Sequence, residues 1–270
     1  MPVDPHLRSL SVDLPTQPAA LIRLAALLAD EVCDVRRIGE LVEGDMALAA
    51  AVLKAVNSSL YGLAGRVQTV RQAVTYLGTR EVASVAYEMG LRAVFPASLE
   101  LEPLWRRAAT RGLLMGRIGE ALHVDPWAAH SAGLFEECGK AVLFRHSPAR
   151  YLPLLLGAQD DAELVYLEHR EYGVSHDALG AALCESWGLA PAAVHSVRHH
   201  VGFVDLGRLP NVPRPAICAL SVLAHRLMND PAALAEAVQA VAFQAQLDPA
   251  QALIASRRIG RQLLEMPVPS

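Results

Sequence analysis

The stretch Gly133-Leu134-Phe135-Glu136-Glu137-Cys138-Gly139-Lys140 places two adjacent carboxylates and a lysine in a segment that is otherwise apolar or small. Ahead of it, Asp125-Pro126 is typical of a helix start, because Asp caps free backbone N–H groups and Pro fits the first helical position. Residues 105–123 have the pattern of one long helix. The region therefore predicts two consecutive long helices, the second of which carries Glu136 and Glu137.

Helix signals continue in both directions from this region, whereas strand signals are nearly absent. Apolar residues within 21–28 follow the i, i+3, i+4, i+7 spacing of one buried helix face. Asp45, Thr69 and Thr79 each precede a further periodic segment and suit N-caps. Hydrophobic residues make up 53% of the chain but aromatics only 5%, and the abundant Ala and Leu favour helix over strand. We therefore expect an all-α fold.

Two proline-containing segments divide the predicted helices. Helical periodicity breaks around Phe95-Pro96-Ala97-Ser98, and the segment Leu209–Pro215 contains three prolines. We therefore expect a two-lobed, multi-helix arrangement. Its predicted parts are an N-terminal extension over 1–13, an N-terminal helical lobe over 14–97, a second helical lobe over 98–208, and a Pro-rich linker with C-terminal helices over 209–270.

Composition excludes several classes of protein. The net charge is −4 and the pI about 6.2, whereas binding to nucleic-acid phosphates requires clustered Lys and Arg. The longest apolar runs fall far short of the ~20 residues of a membrane span, and the N-terminus lacks the pattern of a signal peptide. Four cysteines are scattered without a C-x-x-C pair, which fits reduced core residues. We expect a cytoplasmic protein that neither binds nucleic acid nor inserts into a membrane.

Several motifs resemble those of HDOD, the HD-related output domain, a bacterial signalling relative of the HD and HD-GYP phosphohydrolases. The most specific is Asn57-Ser58-Ser59-Leu60-Tyr61-Gly62, of which Asn57, Ser58, Tyr61 and Gly62 match the family pattern. The resemblance extends over about Leu14 to Val204. The other matching segments are Leu14-Pro15, Asp45–Leu48, Tyr76–Gly78, Gly133–Lys140, Leu179–Leu183 and Trp187–Pro191. The resemblance implies the two-lobed HD-like fold and a role in signal transduction.

The metal motif of the active relatives is altered in this chain. Those relatives have His-Asp-x-Gly-Lys, as the resemblance implies, where this sequence has Glu136-Glu137-Cys138-Gly139-Lys140. We assign the position of the first metal-binding His to Arg107, which has no lone pair to offer a metal. We expect Arg107 to pair with Glu136 or Glu137. The positions matching the former site are Arg107, Glu136, Glu137, Lys140, His176, His199 and His200, and we expect no metal, no cofactor and no catalytic residue there.

The histidines allow a second interpretation. His195 and His199 are four residues apart, which places both on one face of a helix, as in some zinc sites. His176, Asp177 and His200 are candidates for further ligands in such an unconventional site. The alternative, which we favour, is that these histidines form hydrogen bonds in the core or face solvent.

The resemblance and the altered motif together predict a non-catalytic output or regulatory module of bacterial signal transduction. It would act by contact with signalling proteins, in two-component or cyclic-di-GMP pathways. One alternative is a divergent metal-dependent phosphohydrolase that uses Glu136, Glu137, His176 and His199. Another is a nucleotide sensor that binds phosphates through Arg107, Lys140 and nearby His residues.

Overall fold

The secondary structure is helical. The structure, a computed structural model, describes residues 12–28, 35–58, 61, 63, 65–206, 209, 211–212 and 214–264. No strand occurs within these ranges, which confirms the all-α prediction, and none of the helices described is long and apolar enough to cross a membrane. The helices are α1 (Ala19–Leu28), α2 (Val35–Glu43), α3 (Met46–Val56), α4 (Val70–Leu77), α5 (Thr79–Arg92), a 3-10 helix (Leu99–Leu101), α6 (Glu102–Ala121), α7 (Pro126–Phe135), α8 (Cys138–His146), α9 (Pro148–Gly157), α10 (Asp161–Tyr172), α11 (His176–Ser186), α12 (Pro191–Leu206), α13 (Ala216–Asn229), a 3-10 helix (Pro231–Ala233), α14 (Leu234–Val241) and α15 (Pro249–Leu264).

Side-chain caps begin several of these helices as predicted. Asp45 and Asp125 each accept hydrogen bonds from the backbone N–H groups two and three residues ahead, and the Thr69 hydroxyl caps α4. The prediction for Thr79 was wrong, because Thr79 is the first residue of α5 and Gly78 holds the cap position without a side-chain bond. Gly78 has φ of 84°, a conformation that glycine adopts at little cost.

The described residues fall into two compact units. The N-terminal unit is built on residues 16–95, and the C-terminal unit on residues 12–15 and 96–260. After the predicted linker, the chain up to Gly260 is part of the C-terminal unit, in which α13 packs on α6, α7 and α12, and α14 packs on α13. Within the linker, Pro210 and Pro213 lie outside the described residues.

Helix α5 is the centre of the N-terminal unit and packs on α1, α2, α3 and α4. Its residues 82–88 are all buried, as expected for a helix enclosed by others. One of them is Glu88, which is only 6% exposed. Burial raises the pKa of Glu88 to about 7, against the opposing effect of the charge on Arg92.

The Asn57 motif closes a loop in the N-terminal unit. The Asn57 side-chain amide donates to the carbonyl of Val67 over 2.7 Å, and its oxygen accepts from the Val67 N–H over 3.1 Å. These two bonds join the end of α3 to the segment that precedes α4. Ser58 is exposed and Tyr61 is half-buried, while Gly62 lies outside the described residues. The contacts of Asn57 thus give this residue a structural role.

Helix α7 lies in the core of the C-terminal unit, where residues 128–135 are all buried. Its principal neighbour is α6, and glycine allows the two helices to approach closely. A Cβ atom added at Gly133 would lie 2.8 Å from the carbonyl oxygen of Arg111 on α6. This close approach holds Arg111 beside the end of α7.

The two glutamates lie in a turn, not on the second long helix as predicted. Helix α7 ends at Phe135, and Glu136 and Glu137 connect it to α8. Both residues keep right-handed backbone angles, with φ and ψ of −56° and −33° at Glu136. The sequence therefore gives no glycine or proline signal for the end of the helix.

Helix α8 packs closely on α11 at a second glycine. A Cβ atom added at Gly139 would lie 1.8 Å from the backbone carbonyl oxygen of His176, far inside van der Waals contact. The glycine of the motif is therefore required by the packing of two helices. Cys138, Cys184 and Cys218 are buried and unbridged, whereas Cys33 lies outside the described residues.

Replacing Gly139 with alanine is expected to destabilise the protein by about 3 kcal/mol, because backbone atoms of α11 must move to admit the methyl group. The matched control is Gly202→Ala on α12, where no atom lies within 4 Å of the added Cβ. This control should be neutral or more stable by up to about 1 kcal/mol, because alanine favours helix. Urea unfolding of both variants measures the difference, and an equal loss in both would contradict the proposed packing.

Glu88→Gln is expected to remove part of the pH dependence of stability. Because the folded pKa of Glu88 is about 7 and the usual value is 4.5, folding favours the protonated acid. Its contribution is complete below pH 4.5 and is lost as the pH rises to about 7, a loss of roughly 3 kcal/mol. The variant should therefore be stabilised relative to the wild type at pH 8 but not at pH 4.5. Exposed Glu43→Gln is the control, and the same pH profile in both variants would refute the assignment.

Candidate functional site

Arg111 and Glu136 form a buried ion pair in the C-terminal unit. The Arg111 side chain is 1% exposed and Glu136 is fully buried. Nη1 of Arg111 donates to Oε2 of Glu136 over 2.6 Å. The other carboxylate oxygen, Oε1, accepts from the hydroxyl of Ser196 on α12 over 3.3 Å. Both oxygens of Glu136 are therefore bound by donors of the protein.

Glu137 is surrounded by three basic side chains. Its Oε2 accepts from Nζ of Lys140 over 2.8 Å, while Oε1 lies 3.4 Å from Nη2 of Arg111 and 3.6 Å from Nε of Arg107. Nζ of Lys140 also donates to Oδ1 of Asp161 over 2.7 Å. The network thus joins three basic groups to three carboxylates, and its formal charges balance.

Ion pairing controls the ionisation of this network. Burial alone would raise the pKa of Glu137 and Asp161, but nearby cations, first of all Lys140, hold both values well below the usual range. Burial likewise opposes the charge on Lys140 and Arg111, yet the adjacent carboxylates raise the pKa of both. All four groups are therefore charged at neutral pH.

The arrangement does not fit a metal ion at the motif position. A metal there would need free lone pairs on Glu136 and Glu137, but each of the four carboxylate oxygens faces a donor or cation of the protein. The guanidinium of Arg111 also brings a fixed positive charge between the two residues. The site that active HD phosphohydrolases possess, as the family resemblance implies, is replaced here by salt bridges.

The assignment of the central cation to Arg107 needs correction. Arg107 does approach Glu137, as expected, but its side chain is 42% exposed. The buried position between the two carboxylates belongs to Arg111, one helical turn further along α6. Both residues lie on the same face, because residues four apart in a helix are neighbours. Arg107 borders the network, and Arg111 is its centre.

His176 is held by a buried carboxylate. This residue begins α11 and is fully buried. Its backbone N–H donates to Oε2 of Glu168 over 2.7 Å, and its Nδ1 lies 2.7 Å from the same oxygen. The hydroxyl of Tyr151 donates to Oε1 of Glu168 over 2.6 Å. Since a carboxylate accepts hydrogen bonds, Nδ1 carries a proton, and in the neutral imidazole Nε2 then has a free lone pair.

His200 is oriented in the same sense. It lies on α12 and is 2% exposed, and its Nδ1 is 2.8 Å from the carbonyl oxygen of Val197. A carbonyl can only accept, so Nδ1 is protonated and Nε2 is free. Burial lowers the pKa of His200, which favours the neutral imidazole. The ring centroids of His176 and His200 are 5.4 Å apart.

The remaining predicted residues lie elsewhere. His199 is exposed and its ring lies 6.1 Å from that of Phe203. His195 is half-buried and is not a member of the histidine cluster. Asp177 accepts hydrogen bonds from Ser175 and from Arg198, the latter over 2.5 Å. Of the predicted histidine positions, His176 and His200 therefore come together in the structure, whereas His195 and His199 do not join them.

Arg111, Asp161 and Glu168 were missed in the sequence analysis. The sequence around Arg111 gave a signal, because alanines precede it and leucines follow it in a predicted helix. A basic residue in such a segment is either buried with a charged partner or lies on the exposed face. Asp161 follows Asp160, which is the N-cap of α10, and only one residue of such a pair can be the cap. Glu168 gave no signal, because its eight-residue separation from His176 is bridged by a turn between helices.

Fold and site together define an all-helical domain with a buried ion-pair network in place of a metal motif. The chain belongs to the HDOD domain family, whose profile matches residues 14–203. A relative from Treponema pallidum (strain Nichols), named an uncharacterized protein, is 25% identical over 221 residues. These residues are 80% of this chain and 42% of that protein, so the chain spans less than half of its relative.

Solved structures share the fold at low sequence identity. An HDOD domain protein of unknown function from Geobacter sulfurreducens is 20% identical with a TM-score of 0.73, over 98% of this chain and 96% of that chain. A protein from Marinobacter aquaeolei VT8, provisionally named for signal transduction, has a TM-score of 0.73 at 22% identity, over 94% and 59% of the two chains. A provisionally named phosphohydrolase from Shewanella amazonensis SB2B has a TM-score of 0.64 at 19% identity, over 93% and 95%.

Arg111→Met and Glu136→Leu are each expected to cost roughly 3–5 kcal/mol of stability, because each leaves a buried charge without its partner. The double variant should cost clearly less than the sum of the two. A double-mutant cycle by urea unfolding measures this coupling. The exposed pair Arg150 and Glu171 is the control and should couple by about 1 kcal/mol or less. Equal coupling in the two cycles would contradict the importance of the buried pair.

Proposed function

We propose that this chain is a non-catalytic regulatory module of bacterial signal transduction that acts through contacts with other proteins. The family membership supports a signalling role in general terms. The absence of catalysis and the mode of action go beyond it and form the content of the proposal.

The observation that carries the proposal is the position of Arg111. Hydrolysis of a phosphodiester at the motif would need carboxylates that hold metal and activate water. Glu136 and Glu137 instead neutralise Arg111 and Lys140 within a buried network. Freeing either carboxylate would remove one partner from a buried cation, which is costly. The network thus stabilises the fold and occupies the carboxylates that metal binding and activation of water would need.

The relatives support a module that works within larger assemblies. The chain corresponds to part of the Treponema protein and to part of the Marinobacter protein provisionally named for signal transduction. A fold that recurs as one section of longer chains is suited to passing a signal between neighbouring domains or partner proteins. Two-component and cyclic-di-GMP pathways are the ones we propose for it.

The nucleotide-sensor alternative receives less support from the geometry. Arg107 and Lys140 would have to bind phosphate in such a sensor, yet Lys140 already donates to Glu137 and Asp161. Arg107 is half-exposed and borders Glu137, but one cation does not make a phosphate site. The basic side chains at the motif form ion pairs with carboxylates of the protein.

A hydrolysis assay tests the non-catalytic part of the proposal. We expect the full chain to show no turnover of cyclic-di-GMP or bis(p-nitrophenyl) phosphate above buffer with Mg²⁺, Mn²⁺ or Fe²⁺, because the motif carboxylates are bound to cations. An active HD phosphohydrolase in the same buffers is the positive control. Turnover by the wild type that is lost in Glu137→Gln, with the variant folded by circular dichroism, would overturn the proposal.

Pairwise binding tests the contact part. The purified chain would be titrated with the purified receiver-domain and cyclic-di-GMP-metabolising proteins of its own organism. We expect at least one micromolar or tighter complex that Arg107→Ala leaves unchanged, since this variant alters only the border of the motif. Absence of binding to the whole set would contradict the proposed pathways.

A further inference from the structure

Three ligand atoms meet beside the ion-pair network, at the junction of α10, α11 and α12. Single ligand atoms of Asp161, His176 and His200 all lie within 4.8 Å of one another. Asp161 is the first residue of α10, His176 the first of α11, and His200 lies within α12. No other group of this kind, with three or more possible ligands, is present in the described part of the chain.

The same nitrogen is without a partner in both imidazoles. Nε2 of His176 and Nε2 of His200 are buried and have no hydrogen-bond partner among the described residues. The Nδ1 atoms are bound to Glu168 and to the Val197 carbonyl, which fixes the free nitrogen as an acceptor in each ring. Neither residue can satisfy the other, because two acceptors do not form a hydrogen bond.

A carboxylate–histidine contact of this type is a common support for a metal ligand. Metal-binding histidines almost always donate their second ring N–H to a carboxylate or a backbone carbonyl, which fixes the tautomer and the ring orientation. His176 has the first kind of partner and His200 the second. Tyr151 in turn donates to Glu168. The rings are therefore held in the tautomer that coordination requires.

We propose that His176, His200 and Asp161 bind one divalent transition-metal ion through two Nε2 atoms and a carboxylate oxygen. Two imidazoles and one carboxylate suit zinc or ferrous ion better than magnesium, which prefers oxygen ligands. An ion at bonding distance of ~2.1 Å would draw tetrahedral ligands to about 3.4 Å from one another. On binding, the three ligand atoms would therefore move together from separations of up to 4.8 Å.

Lys140 does not exclude the ion. It donates to one oxygen of Asp161, Oδ1, and an ionised carboxylate has about four lone-pair sites, so lone pairs remain for coordination. The Asp161 side chain is 23% exposed, whereas both histidines are buried. An ion would therefore enter along Asp161. The ligand set shares His176 and His200 with the positions that match the former site, but it does not include Glu136 and Glu137, which remain paired with Arg111 and Lys140.

The ion would connect three helices of the C-terminal unit. Its ligands come from α10, α11 and α12, so binding would restrain these helices relative to one another and raise the melting temperature. The proposal does not depend on the signalling role, because it concerns a ligand and not a partner. It does predict that metal supply alters the stability of this unit.

Metal titration of the full chain tests the proposal. After removal of metal with a chelator, the wild type should bind one equivalent of Zn²⁺ by calorimetry and retain it through gel filtration, and Mg²⁺ should not compete. The adjacent residues His200 and His199 provide matched variants. His200→Gln should weaken binding about 100-fold or more, since even partners of ligands contribute 10–100-fold, whereas His199→Gln should bind as the wild type does.

A second pair guards against a variant that fails to fold. Asp161→Asn should weaken Zn²⁺ binding and Asp177→Asn, which alters a carboxylate outside the cluster, should not. A Co²⁺-substituted sample should give visible absorption bands typical of a nitrogen–oxygen site that disappear in Asp161→Asn. Absence of stoichiometric Zn²⁺, or binding that is equal in the ligand and control variants, would overturn the proposal. Binding that is lost in Glu137→Gln but kept in His200→Gln would place the ion at the motif and overturn it as well.

Nitrogen-detected NMR of the metal-free protein gives an independent test. The proposal requires that His176 and His200 both carry their proton on Nδ1, with Nε2 unprotonated. Zn²⁺ should then shift the two Nε2 resonances and leave those of His199 in place. A proton on Nε2 of either residue in the metal-free protein would contradict the proposed geometry.

Discussion

The ion pair between Arg111 and Glu136 places two full charges where neither side chain meets water. Such a pair needs close geometry and compensating hydrogen bonds, because the loss of hydration of each ion is costly. The glycine contact between α6 and α7 supplies that geometry, since Gly133 lets the backbone of Arg111 approach the end of α7. Helix α12 adds the hydrogen bond from Ser196 to Glu136. The ion pair and this hydrogen bond thus link α6, the end of α7 and α12.

The ion-pair network and the histidine cluster share a boundary at Lys140 and Asp161. On one side the carboxylates are paired with basic side chains, and on the other two buried imidazole nitrogens have no hydrogen-bond partner among the described residues. The two halves therefore differ in their capacity to bind a ligand. In the first half the charges of the protein neutralise one another. In the second half, the unpaired Nε2 atoms of His176 and His200 are available to coordinate a ligand.

Much of the fold follows from local signals in the sequence. Asp45, Thr69 and Asp125 were identifiable as caps because each acts on backbone within three residues. The centre of the site was harder, because it depends on which of two arginines on one helix face points inward. Arg107 and Arg111 differ in the exposure of their side chains, which depends on how α6 packs on its neighbours. Asp161 reaches Lys140 over 21 residues and one intervening helix, α9, and local pattern carries no information on such a contact.

The contact of Gly139 with the His176 carbonyl bears on how motifs of this kind are interpreted. Glycine is needed at that position by the crossing of α8 and α11, whether or not a metal ion is bound nearby. Lysine next to it is likewise retained by its two carboxylates. A Gly-Lys pair in a related sequence is therefore a marker of helix packing, and inferring hydrolysis from it would confuse an architectural requirement with a chemical one.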